Sequence, residues 1–141
     1  LRVTYGVDLV AWVSAVGEAP TETLASASRI ARDRGGELQV ELPERWDDAL
    51  ARAWLDMGIR HAIVHCTAEV HAIGSGWTAA TVSTIDRLAR MGFIVTAAGG
   101  IDAATLPGLL ATPAKVFVAG RSIVKASDPR AEARRMCTLL A

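Results

Sequence analysis

The sequence has little of what would mark a chain for nucleic acid, for a membrane or for an oxidising compartment. Its 15 Lys and Arg are matched by 15 Asp and Glu, so the formal net charge over 141 residues is zero. Basic residues spread singly leave no electrostatic footprint for a phosphate backbone, which argues against nucleic acid as a partner. Apolar runs such as Val7 to Gly17 carry a charge or fall well short of the ~20 residues that span a bilayer, so no membrane segment is expected. The 2 Cys, Cys66 and Cys137, are too few for a disulfide scaffold and fit a reducing, cytoplasmic setting. An initiator Met and a signal-peptide pattern are both missing before Leu1, and the chain is expected to be part of something longer. What remains is a chain of 51% hydrophobic and 21% charged residues, rich enough in apolar side chains to bury a core and not to be disordered.

Short runs rich in Val and Ile alternate with longer segments of helical period. Val7 to Ala15, Leu38 to Leu42, Ala62 to His65, Ile94 to Ala98 and Val116 to Ala119 read as strands. Between them, Leu24, Ala27, Ile30 and Ala31, then Leu50, Ala53, Trp54 and Met57, then Val82, Ile85 and Ala89 recur at helical spacing. Asp102 can cap a short helix ending near Leu110. Asp128 followed by Pro129 predicts a capped helix with Ala133, Met136, Cys137 and Leu140 on one face. Five successive βα units with short connections mean a parallel α/β sheet with right-handed crossovers, in one domain over residues 1–141. An open doubly wound sheet and an arc of a (β/α)8 TIM barrel both fit.

In either architecture ligands sit at the carboxyl ends of the strands, where Ser14, Glu41, His65, Ala98-Gly99-Gly100 and Ala119-Gly120-Arg121 stand. Gly99, Gly100 and Gly120 would let backbone N–H groups approach an anion closely, and Arg121 could grip phosphate oxygens bidentately. Either loop alone reads better as a tight turn beside a solvated charge. The two at successive strand ends favour a phosphate cradle, the arrangement that the last two strands of many barrels use. His65 could shuttle a proton near neutral pH or be a hydrogen-bonded rim residue. Glu41 shares a side of its strand with Gln39; facing a barrel interior its carboxylate needs a partner from elsewhere, a Lys or a substrate group, and otherwise it is a rim carboxylate with a structural hydrogen bond. His61 and His71 read as surface residues, and His65, Cys66 and His71 do not match a zinc spacing. The four Trp (Trp12, Trp46, Trp54 and Trp77) are scattered and read as packing.

The run MGIRHAIVH (57–65), then GSGWTAATVSTIDRLARMGFIVTAAGG (74–100), then PAKVFVAGRSIVKASDPRAEARRM (113–136), resembles the 3-keto-L-gulonate 6-phosphate decarboxylases and their relatives the 3-hexulose-6-phosphate synthases. Both belong to the orotidine 5'-monophosphate decarboxylase superfamily of (β/α)8 barrels. The resemblance covers nearly the whole chain and implies strands 4 to 8 of such a barrel. It implies a carbon–carbon lyase acting on a phosphorylated keto sugar through an enediolate, with Mg²⁺ as cofactor, in a cytoplasmic homodimer with shared active sites. His65 falls on the histidine that helps protonate the enediolate, and Glu41 on a glutamate that supports a catalytic lysine. Gly99, Gly100, Gly120 and Arg121 fall on the substrate-phosphate site.

This sequence departs from that pattern at two pocket positions. Ala68 stands where the decarboxylases have arginine and Ala98 where they have threonine; both lean toward the synthases, while Glu41 leans toward the decarboxylases. The Asp-x-Lys-x-x-Asp motif that ends the third strand is absent, and with it the lysine and the Mg²⁺ ligands. A lone five-unit arc would carry two raw parallel edges. A catalytically dead phosphate-binding fragment and a complete open-sheet module are therefore the readings of another class.

Overall fold

The computed structural model describes residues 12–66 and 76–140. Of the strand expected from Val7, residues 7–11 lie outside the described residues, and β1 is Trp12–Val16. There follow α1 (Thr21–Asp33), β2 (Glu37–Glu41), α2 (Asp48–Asp56) and β3 (His61–His65). Then come α3 (Ala79–Met91), β4 (Ile94–Ala98), α4 (Leu106–Leu110), β5 (Val116–Val118), α5 (Arg121–Val124) and α6 (Pro129–Leu139). The strand order is β1-β2-β3-β4-β5, and the pairs β1–β2 and β4–β5 are parallel.

That sequential order decides between the two architectures. A doubly wound sheet reverses its order part-way so that helices reach both faces. When each right-handed crossover leads to the next strand in the same direction, every helix falls on one side, as in a barrel wall.

The chain divides into two compact units within β3, the first ending at Ala62 and the second starting at Ile63. In the first, Leu38 and Val40 are buried, and α1 packs on β1 and β2. Gln39 and Glu41, on the other face, are half-buried, and their register partners Ser14 and Val16 are exposed. Trp54 of α2 is fully buried, as the packing reading expects. A Leu or Val removed from water in this way contributes roughly 1.5–3 kcal/mol. Asp47 caps α2 by accepting from Leu50 N at 2.8 Å, an interaction worth about 1 kcal/mol. On α1, Leu24 and Ala31 are buried as expected, but Ile30 is exposed and Ser28 takes its place inside, donating its hydroxyl to Met57 O at 3.2 Å.

In the second unit the same division recurs. Val95 and Ala97 are buried, with α3 against β4, while Ile94 and Val118 on the opposite face are exposed. Thr96 is the exception, buried on the face it shares with them. Thr78 caps α3 through Thr81 N. Asp128 caps α6 by accepting from Arg130 N and Ala131 N, with Pro129 in its first turn as the sequence predicts. Of the face expected for α6, Met136 is buried, whereas Cys137 and Leu140 are exposed.

His61 requires a correction. It is the first residue of β3, not a surface residue before it, and it is buried with its Nε2 2.7 Å from Glu37 Oε2. The strand begins one residue earlier than its apolar run, because the imidazole is satisfied by a carboxylate at the amino end of the neighbouring strand.

Candidate functional site

The carboxyl ends of the strands carry the chemistry-bearing residues, as expected of a parallel sheet. In the first unit, Glu41 closes β2 half-buried. Its carbonyl oxygen accepts from Gly17 N at 2.9 Å. Gly17 has no room for a side chain, since a Cβ would stand 2.6 Å from Pro43 Cδ and 2.9 Å from Trp54 Cζ2. Close packing thus fixes the backbone around Glu41. Two residues earlier, Gln39 Nε2 donates to Ser14 Oγ at 2.7 Å, so polar side chains line this face of β1 and β2.

In the second unit, His65 closes β3 and is exposed, while the next residue, Cys66, is buried. Burial pushes the Cys66 thiol up from its ordinary range, which keeps it protonated and unreactive at neutral pH. Cys66 N donates to Ala98 O at 2.8 Å, tying the end of β3 to the end of β4. Ala98 leads into Gly99 and Gly100, both half-buried and both at positive φ, +85° and +61°. Two such residues in succession require glycine. A methyl group on Gly99 would lie 2.7 Å from His65 Cδ2 and would overlap the Cys66 carbonyl oxygen. The structure therefore brings His65 and Gly99 into direct apposition.

The turn is braced from behind. Trp77 Nε1 donates to Gly99 O at 3.1 Å, and the Thr105 hydroxyl lies 3.3 Å from Gly100 O. Asp102 accepts from Ala104 N at 2.9 Å and from Thr105 N at 2.8 Å, which caps the segment leading to α4. Ser122 Oγ donates to Ile101 O at 2.7 Å and joins the loop after β4 to the segment after β5. Gly120 precedes α5 and Arg121 begins it, both exposed. At Gly120 the backbone has negative φ and a Cβ would meet nothing within 4 Å, so the fold does not demand glycine there.

Of the residues singled out in the sequence, His65, Ala98, Gly99, Gly100, Gly120 and Arg121 thus lie in the second unit and Glu41 in the first. Ala68 and His71 lie outside the described residues. Trp77 is the residue that sequence reasoning missed. Only its place just before a capped helix hinted at a fixed position, and nothing in the sequence pointed to Gly99. Among the described residues no group of three or more His, Cys, Asp or Glu side chains is placed to hold a metal ion.

Residues 4–136 match the profile of the orotidine 5'-phosphate decarboxylase / HUMPS family, nearly the whole chain. The chain belongs to that family. Within it, the 3-keto-L-gulonate-6-phosphate decarboxylases of Escherichia coli and Escherichia fergusonii are each 36% identical over 124 residues, covering 88% of this chain. The chain spans 57% of the length of these curated relatives. Among solved structures, KGPDC from Streptococcus mutans is similar with a TM-score of 0.86 and 31% identity, over 92% of this chain and 61% of that one. 3-Hexulose-6-phosphate synthase from Salmonella typhimurium is similar with a TM-score of 0.81 and 25% identity, over 92% and 61%. The fold is that of a partial (β/α)8 barrel, as the sequential strand order requires. Among the described residues no helix is long and apolar enough to cross a membrane.

Proposed function

We propose that this chain supplies the phosphate-binding and proton-transfer side of a carbon–carbon lyase acting on a phosphorylated keto sugar acid such as 3-keto-L-gulonate 6-phosphate. The observation that carries this reading is the Gly99–Gly100 turn, held at two successive positive φ values against the His65 ring. A turn of this kind can present backbone N–H groups to a substrate's phosphate while a histidine stands beside it. Gly120 supports the reading, since glycine at a position that the fold leaves open keeps space for a ligand next to Arg121. Arg121 would then pair with phosphate oxygens, where a guanidinium fork gives charge-assisted bonds.

In the proposed reaction the bond from the sugar carbon to the carboxyl group breaks and carbon dioxide leaves. The bonding electron pair stays on the sugar as an enediolate, and His65 delivers a proton to that carbon and is reprotonated from solvent. A positioned group of this kind contributes about 10²- to 10⁴-fold. Glu41 serves by holding a lysine that comes from outside this chain. Mg²⁺, which would stabilise the enediolate's charge, is in this reading held by residues other than the described ones. The active protein is taken to be a cytoplasmic homodimer with shared sites. Residues 1–141 are taken as the last five βα units of its barrel, strands 4 to 8.

A second reading within the family is addition of formaldehyde to ribulose 5-phosphate, favoured by Ala98 at the end of β4, where the resemblance puts threonine in the decarboxylases and an apolar residue in the synthases. Assay of the full-length protein with each sugar phosphate, following carbon dioxide release in one case and formaldehyde consumption in the other, decides between them. Inactivity with both, in protein that is folded, would leave a non-catalytic phosphate-binding fragment as the surviving reading.

A further inference from the structure

Trp77 spends its indole N–H on the main chain of the glycine turn. It lies in a turn in which Thr78 N donates to Gly76 O at 3.0 Å, directly before the Thr78 cap of α3. Its backbone is therefore fixed to a helix of 13 residues that itself packs on β4. From that base Nε1 reaches 22 residues along the chain to Gly99 O, at 3.1 Å.

The consequence follows from the planarity of the peptide unit. In a trans peptide the C=O of one residue and the N–H of the next point in opposite directions, and there is no cis peptide bond among the described residues. Fixing the Gly99 carbonyl on the indole fixes the Gly100 N–H to point away from it. Glycine at both positions makes this restraint necessary as well as possible. With no Cβ at either residue, the backbone has access to broad conformational space, and the peptide plane between them could turn unless something held it. The indole holds one side, and the packing of Gly99 on Cys66 O and the His65 ring blocks the other. Among the described residues the Gly100 N–H has no acceptor.

We infer that Trp77 is a positioning residue for phosphate recognition: its indole N–H holds the Gly99 carbonyl and thereby aims the Gly100 N–H at a phosphate group. The inference rests on the phosphate-binding reading above. Trp77 then sets affinity for the phosphate without touching it, and the hydrogen bond matters through its direction as well as its strength.

The experiment uses the full-length protein, with inorganic phosphate and ribose 5-phosphate as probes in equilibrium titrations. Three substitutions are compared: Arg121→Ala, Trp77→Phe, and benzothienylalanine at position 77, which keeps the bicyclic shape and replaces the N–H by sulfur. The expected result is that both changes at Trp77 raise Kd for both probes about three- to tenfold, the range of one neutral hydrogen bond. With a turned-over sugar phosphate, KM rises by a similar factor and kcat stays within about twofold. If Arg121→Ala weakens binding while both Trp77 variants bind as tightly as the unaltered protein, the inference is overturned and the phosphate reading stands. If the unaltered protein binds neither probe, both are overturned. A change at position 77 that lowers kcat and leaves KM alone would also overturn it, since the indole would then be serving the reacting carbons and not the phosphate.

Discussion

Strand β3 carries a histidine at each end, and the two have opposite fates. His61 and His65 are four residues apart in an extended strand, so their side chains leave the same face. At the amino end His61 is buried and bound to Glu37; at the carboxyl end His65 is exposed and lies against a glycine turn. Residue type and face are shared, and the surroundings alone separate them. At the amino end a carboxylate at the start of β2 meets the imidazole's Nε2, as a structural role requires. At the carboxyl end the neighbour is Gly99, whose missing side chain leaves the ring room. In parallel α/β folds the amino ends serve stability and the carboxyl ends serve chemistry, and the proposed function gives β3 one role at each end.

Substitution can break that contrast, most sharply at the carboxyl end. Exchanging His65 for Asn in the full-length protein is expected to lower kcat by about 10²- to 10⁴-fold. Thermal midpoint should hardly move, because the side chain is exposed; a large loss of stability with unchanged turnover would reverse the roles of the two histidines. Next in size, Arg121→Ala should weaken ribose 5-phosphate binding by about 10- to 100-fold, read by calorimetric titration, with little change in folding. At the amino end, His61→Ala should destabilise by about 1–3 kcal/mol in urea unfolding, through a small cavity and a lost polar contact. Its activity per folded molecule should survive. If turnover falls as far as in the His65 variant, the division between the two ends fails.

The smallest effect concerns Cys66, just past the carboxyl end. Its folded pKa lies above the unfolded one because burial disfavours the thiolate. In the pH range above the ordinary thiol value of about 8.5 the unfolded chain releases this proton more readily than the native one, so stability falls as pH rises there. Below that range the group contributes nothing to the pH dependence. Urea unfolding at pH 7 and pH 9.5 should show the decline, and Cys66→Ala should flatten it. Alkylation should find the exposed Cys137 well before Cys66.

The sequence was most legible where one periodicity ruled. Ile94–Ala98 is a strand to the residue, because apolar side chains on both faces and a following Gly-Gly leave little else. The cap at Asp128 formed where Asp128 followed by Pro129 predicts it. The burial of His61 was hidden because its partner, Glu37, is 24 residues away, and no local pattern records a cross-strand contact. The bond from Trp77 to Gly99 was hidden for the same reason. Helix α5 has four residues, too few for any period to show. Among the site residues, the glycine turn could be read from Gly99-Gly100, but that it rests against the His65 ring could not, since residues 66–98 intervene.

The sequential strand order also bears on how the molecule is built. The four strands after β1 begin at residues 37, 61, 94 and 116, and each of the five described strands lies beside the next one to be made. Among the described strands each addition pairs with the strand just made, so the entropic cost of loop closure stays modest at each of these steps. A chain of this topology can lengthen its sheet unit by unit as it leaves the ribosome, and its folding should be correspondingly tolerant of where synthesis pauses.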